Sequence, residues 1–87
     1  MFKIEYKKKA IKDLKNLEKD RKLLLRFRNI LDNIKENPYS PNFKFERLKG
    51  NFSGYCSKRL DDKNRVIYEV VDDKIVVIII SIIGHYD

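Results

Sequence analysis

Arg65-Val66-Ile67-Tyr68-Glu69-Val70-Val71, the pair Asp72-Asp73, and Lys74-Ile75-Val76-Val77-Ile78-Ile79-Ile80-Ser81-Ile82-Ile83 decide the fold. Two runs rich in β-branched residues flank a pair of aspartates, which reads as two antiparallel strands joined by a tight turn. The second run is apolar on both faces, so it belongs in the middle of a sheet or under another protein. Upstream, residues 55–60 read as a further strand, joined to the first run by Asp61-Asp62-Lys63-Asn64. Residues 44–48 read as a short strand, followed by a Gly50-Asn51-Phe52-Ser53-Gly54 turn.

The first third of the chain has a different period. Phe2-Lys3-Ile4-Glu5-Tyr6 alternates apolar and charged residues, the mark of a half-buried strand. From Lys7, the residues Ala10, Ile11, Leu14 and Leu17 fall on one helical face among lysines, and this helix is expected to end near Asp20. Leu23, Leu24, Phe27, Ile30, Leu31 and Ile34 define a second helix. Asn37-Pro38 closes it, because the residue before proline disfavours helical geometry. The loop Pro38-Tyr39-Ser40-Pro41-Asn42-Phe43 leads to the later strands. The expected fold is α+β: an N-terminal strand and a two-helix hairpin packed on one face of an antiparallel sheet, in a single domain over residues 1–87.

The 20 Lys plus Arg outnumber the 13 Asp plus Glu, and the excess is uneven. Residues 1–36 hold 12 basic and 6 acidic residues, 37–65 hold 7 and 3, and 66–87 hold 1 and 4. A basic surface over the first two thirds attracts polyanions through counterion release, or an acidic protein segment through the same field. One cysteine, Cys56, forms no internal disulfide, and no Cys/His set has metal-ligand spacing, so neither a metal nor another cofactor is expected. The apolar run near the C-terminus is about half the length of a membrane span. A soluble cytoplasmic protein without a membrane partner is the expectation.

No glycine-rich phosphate loop and no Ser/His/Asp spacing appears. What remains is a polar set on and around the later strands: Glu46, Lys49, Lys58, Arg59, Arg65, His85 and Tyr86. Phosphodiester transesterification needs these residue types. A base takes the ribose 2′-OH proton, a cation stabilises the charge building on phosphorus, and an acid protonates the leaving 5′-oxygen. His85, the single histidine, titrates nearest neutral pH. Each residue also has a plainer explanation. Glu46 can pair with Arg47 or Lys44 at the surface, and Arg65 with Asp61 or Asp62. Lys49, Lys58 and Arg59 can be solvated strand-face charges that suppress edge pairing. Tyr86 can cap the core, and His85 can be a solvated side chain near the chain end.

Taken together, the pieces resemble a known family. Glu46-Arg47-Leu48-Lys49, then Phe52-Ser53-Gly54, then Ser57-Lys58-Arg59, then Arg65-Val66-Ile67-Tyr68, and finally His85-Tyr86 are similar to the pattern of the Txe/YoeB branch of the RelE/ParE toxin superfamily. The resemblance spans the second half of the chain, and the order of strand, two helices and strands agrees with it. It implies a RelE-like fold and the toxin of a type II toxin–antitoxin system, a ribosome-dependent mRNA endoribonuclease that inhibits translation. Residue by residue, it implies Glu46 as general base, His85 as general acid and Arg65 as stabiliser of the transition state. Lys49, Lys58, Arg59 and Tyr86 would contact RNA, and no metal would be required. The implied partners are the ribosome with its mRNA and a cognate antitoxin of the YefM/Axe type, whose acidic segment folds on binding. Whether the chain forms a homodimer stays open. The chain departs from the family in having no Trp, in Cys56 where an aromatic is usual, and in Lys58 where Arg is usual.

Two other functions remain compatible with the residues: a ParE-like toxin that blocks a DNA topoisomerase by binding, and a non-toxic RNA- or ribosome-binding module. The sequence also sets a geometric condition. If Asp72-Asp73 is a two-residue hairpin, Val71 opposes Lys74 and Arg65 opposes Ile80, which sends His85 to the opposite face from Arg65. A shared face requires a bulge, a longer turn, or a strand that ends before Gly84.

Overall fold

A computed structural model describes residues 1–84. His85 and Tyr86, singled out above, lie outside the described residues. The elements run β1 (Lys3–Tyr6), α1 (Lys8–Leu17), α2 (Arg21–Glu36), β2 (Glu46–Arg47), β3 (Cys56–Arg59), β4 (Arg65–Val71) and β5 (Val76–Ser81). They form one five-stranded sheet in the order β1-β5-β4-β3-β2.

The α+β class holds, with one refinement of the sheet. β2, β3, β4 and β5 pair antiparallel in succession, whereas β1 lies parallel to β5, with Ile4 opposite Val77 and Tyr6 opposite Ile79. The sheet is therefore mixed rather than wholly antiparallel. The helices supply the crossover that a parallel pair needs. β5 is an interior strand, as its two apolar faces require.

Helix α1 stops at Leu17, short of the expected end, because Asp20 serves the next helix. Its side chain accepts from the Leu23 backbone N–H at 3.2 Å, satisfying one of the free donors at the start of α2. Asn37 ends α2 in extended geometry just before the buried Pro38. One stripe from each helix faces the sheet. Ala10 and Leu17 of α1, Phe27, Ile30 and Ile34 of α2, and Cys56, Val66, Tyr68, Val77 and Ile79 of the sheet form a continuous core with Leu60 and Ile82. Each large side chain buried there contributes about 1.5–3 kcal/mol. No described helix is long and apolar enough to cross a membrane.

The loop after α2 is pinned by two polar side chains that rise from the core face of the sheet. The buried Tyr68 hydroxyl donates to the Pro38 carbonyl at 2.6 Å. Lys58 is fully buried; its Nζ donates to the carbonyls of Ser40 at 2.7 Å and Asn42 at 2.9 Å and lies 5.1 Å from the Phe45 ring centroid. This corrects the expectation of a solvated or RNA-contacting Lys58. Lys58 pairs with Val66 and so shares the helix-facing side with it, and its ammonium closes the loop's backbone carbonyls.

Burial pushes Lys58 down to about 8. Between that value and the ordinary lysine range the unfolded chain holds more protons, so this group makes stability rise with pH across that window. Lys58→Met removes the titration. Urea unfolding at a series of pH values is expected to give a wild-type-minus-variant stability difference that climbs from pH 8 to about 10.5. A difference independent of pH would show that Lys58 keeps an ordinary pKa.

Candidate active site

The face of the sheet opposite the helices carries Glu46, Arg59 and Arg65 of the polar set. Along β4, Val66 and Tyr68 point into the core, so Arg65, Ile67 and Glu69 point the other way. The strand register extends this face sideways. Glu46 opposes Ser57, Ser57 opposes Ile67, and Ile67 opposes Ser81; one step along, Arg59 opposes Arg65. Glu46, Ser57, Arg59 and Arg65 therefore share one surface.

Arg65 reaches from its row to the next and donates from Nη1 to Glu46 Oε1 at 3.2 Å. The Arg65 side chain is 19% exposed and that of Glu46 44%, so the pair sits at a water-accessible surface. The surface pairings considered from sequence give way to this one. Arg47 instead stacks over the Tyr39 ring, with its guanidinium carbon 4.7 Å from the centroid. Asp61 uses its carboxylate on the 61–64 turn, accepting from the backbone N–H groups of Lys63 at 2.8 Å and Asn64 at 2.7 Å and from the Asn64 amide. Burial alone would raise the Asp61 carboxyl, but these donors outweigh it and its pKa is lowered.

Two further features mark this surface. Arg59 and Arg65 are directly opposed across β3 and β4, and opposed like charges destabilise a sheet unless an anion lies between or beside them. Ser57 is fully buried, and its Oγ has no hydrogen-bond partner among the described residues. An unmet buried hydroxyl costs about 1–3 kcal/mol. It lies opposite Glu46, and sequence reasoning gave it no role; its place at the head of Ser57-Lys58-Arg59 was the available signal. Lys49 is exposed, just ahead of the 3₁₀ turn Gly50–Phe52.

The geometric condition on β5 is met in part by the described residues. The β4–β5 connection is longer than a two-residue hairpin. Val71 pairs with Val76, so four residues make the turn, and Ile75 closes it in left-handed geometry at φ 56°. This moves the register by two and leaves the faces unchanged. The pairing then shifts by one between Ile67, opposite Ser81, and Tyr68, opposite Ile79, which leaves Ile80 as an unpaired extra residue. Such a bulge exchanges the faces beyond it. β5 ends at Ser81, and Gly84 adopts φ 127°, a conformation that residues with a side chain rarely adopt.

The segment leaving β5 is tied on both sides. The buried Asp13 carboxylate of α1 accepts from the backbone N–H groups of Ile82 at 3.0 Å and Ile83 at 3.1 Å. Lys9 donates to Asp13 at 2.6 Å and to the Ile83 carbonyl at 2.9 Å. The Gly84 N–H donates to the Asn64 side chain at 3.0 Å, and the Arg65 N–H donates to the Gly84 carbonyl at 3.2 Å. Burial would raise the Asp13 carboxyl, but the Lys9 ammonium and the two backbone donors hold it below the usual carboxylate range.

The family pattern of YoeB-like toxins of bacterial type II toxin–antitoxin systems matches residues 6–86. The chain belongs to this family. It is 39% identical over 61 residues to the toxin YoeB of Streptomyces coelicolor, an alignment that covers 70% of this chain and 73% of the relative. A YoeB chain from Staphylococcus aureus, solved as a heterotetrameric YoeB–YefM complex, superposes with a TM-score of 0.85 at 30% identity and 99% coverage of both chains. A YoeB/ParE toxin from Agrobacterium tumefaciens superposes with a TM-score of 0.92 over 98% of this chain and 100% of that one; at 24% identity this likeness concerns the fold. In this YoeB-like toxin, the structure brings Glu46, Arg59 and Arg65 to one surface and removes Lys58 from it.

Gly84 gives a direct check on the anchored segment. A Cβ at Gly84 meets no atom of the described residues within 4 Å, and φ 127° strains any side chain there, so Gly84→Ala tests backbone strain. Urea denaturation is expected to show a loss of about 1–3 kcal/mol. Unchanged stability would mean that residues 82–84 are not held in this conformation.

Proposed function

We propose that this toxin is a ribosome-dependent mRNA endoribonuclease that cleaves by attack of a ribose 2′-OH. The observation that carries the reading is the Glu46–Arg65 pair on the sheet face away from the helices, with Arg59 directly across from Arg65. Glu46 takes the 2′-OH proton as the oxygen forms its bond to phosphorus. Arg65 stabilises the negative charge on the non-bridging oxygens, and Arg59 and Lys49 hold the flanking backbone. As the bond from phosphorus to the 5′-oxygen breaks, His85 supplies the proton to that oxygen. The products are a 2′,3′-cyclic phosphate and a 5′-hydroxyl. Tyr86 stacks on or hydrogen-bonds the substrate. Lys58 takes no part, because its ammonium is committed to the loop after α2.

The ion pair of the free chain does not obstruct this chemistry. Exposed pairs of this kind contribute about 0–1 kcal/mol. A bidentate phosphate contact to Arg65 is stronger and displaces Glu46 into its role as base. The basic first two thirds of the chain favour docking on ribosomal RNA in the cytoplasm, and the same field favours the acidic segment of a cognate antitoxin. The S. aureus relative, solved with YefM, supports such a partner here.

Glu46→Ala, Arg65→Ala and His85→Gln are each expected to relieve growth arrest and to slow transcript cleavage on ribosomes by about 10²–10⁴-fold, with folding retained. Mapping transcript ends after induction, wild type beside each variant, checks this. Full toxicity in all three variants, with intact transcripts and raised DNA-damage signalling, would replace this reading with topoisomerase blockade.

A further inference from the structure

We propose that Asp13, on the first helix, is the positioning residue for the general acid: by holding the backbone of Ile82 and Ile83 it fixes the point from which the chain continues to His85. The proposal rests on the reading of His85 given above. It begins from an anomaly in α1. Asp13 lies on the same stripe as Ala10 and Leu17, which face the core, and it is buried with them. Packing alone would favour an apolar residue there, since a buried carboxylate must be fully paired to be tolerated.

The carboxylate instead takes over where the sheet stops. The β4–β5 ladder ends at Ser81, and the next two N–H groups turn to Asp13 Oδ2, at 3.0 Å for Ile82 and 3.1 Å for Ile83. Lys9, one helical turn earlier, closes the arrangement by donating to that same oxygen at 2.6 Å and to the Ile83 carbonyl at 2.9 Å. Gly84 is then held by the Asn64 side chain and by the backbone N–H of Arg65. Three consecutive residues are thus clasped by α1 on one side and by the start of β4 on the other.

The last of these bonds gives the clasp its catalytic meaning. It joins Gly84 to the backbone of the residue that stabilises the transition state, so the clasped segment ends on the strand that carries that cation. A general acid works only within hydrogen-bond reach of the leaving oxygen, and a shift of about 1 Å costs on the order of 10²-fold in rate. Asp13 acts through the backbone of Ile82 and Ile83, from the helix side of the sheet and without touching substrate.

A change of leaving group separates positioning of the acid from general support of the fold. Ribosome-bound mRNA carrying sulfur in place of the scissile 5′-oxygen releases a thiolate, which needs no proton near neutral pH. Single-turnover cleavage of the oxygen and sulfur substrates is compared for wild type, His85→Gln, Asp13→Ala and Asp13→Asn, with thermal unfolding of each. His85→Gln and Asp13→Ala are expected to lose about 10²-fold on the oxygen substrate and less than about 5-fold on the sulfur substrate. Asp13→Asn keeps an acceptor oxygen and is expected to fall between wild type and Asp13→Ala. If Asp13→Ala is unfolded at the assay temperature, the ratio for Asp13→Asn decides. Equal losses on both substrates for the Asp13 variants, or no loss on either, with His85→Gln rescued by sulfur, would overturn the proposal alone. Equal losses for His85→Gln would overturn the acid assignment and the proposal with it.

Discussion

The antiparallel pairing of β4 with β5, and the one-residue shift within it, is the constraint on which the rest of this toxin depends. β5 is an interior strand with β1 on one side and β4 on the other, and Val77 and Ile79 of β5 meet Tyr68 and Val66 of β4 in the core. That burial fixes the register, because a slip of one residue would turn each apolar side chain to the other face. Once β4 is fixed, its alternate residues deliver Arg65 to the face away from the helices. β3 and β2 then follow in register and bring Arg59 and Glu46 beside it. The site is a consequence of how the core packs.

The two faces of the sheet divide the basic residues between loop closure and the candidate site. Lys58 and Arg59 are adjacent in sequence, yet they point to opposite sides. Lys58 closes loop carbonyls against the helices, while Arg59 stands across from Arg65 on the face away from them. Arg26 of α2 behaves like Lys58: its guanidinium donates to the Leu60 carbonyl and lies over the Phe43 ring. Positive charge is therefore no guide to nucleic-acid contact here until the face is known. The face away from the helices sets Arg59 across from Arg65, with the Glu46 carboxylate beside Arg65, and holds a buried Ser57 hydroxyl that has no hydrogen-bond partner among the described residues.

Much of this was legible in the sequence, and the reasons are local. The span of β4, the interior place of β5 and the end of α2 before Pro38 each follow from patterning within a few residues. The company of Glu46 and Arg65 came from resemblance rather than spacing, since nineteen residues separate them and only the register of three strands joins them. Three things were not legible. The parallel placement of β1 depends on the whole crossover. The burial of Lys58 depends on a loop that folds back with its carbonyls inward. The role of Asp13 depends on where β5 stops, far away in sequence. A bulge was one of the three devices that parity counting offered for a shared face, and its place at Ile80 was not legible, because a run of isoleucines gives no signal for which one is left unpaired.

The central claim is that the surface around Glu46 and Arg65 carries out 2′-OH transesterification on RNA. The most direct measurement uses ribosome-bound mRNA with a single 2′-deoxy nucleotide on the 5′ side of the scissile phosphate, beside the all-ribose message. The account predicts that the all-ribose message is cut to a 2′,3′-cyclic phosphate and a 5′-hydroxyl, and that the deoxy message is not cut at that position. Cleavage of the deoxy message at the same bond would contradict it.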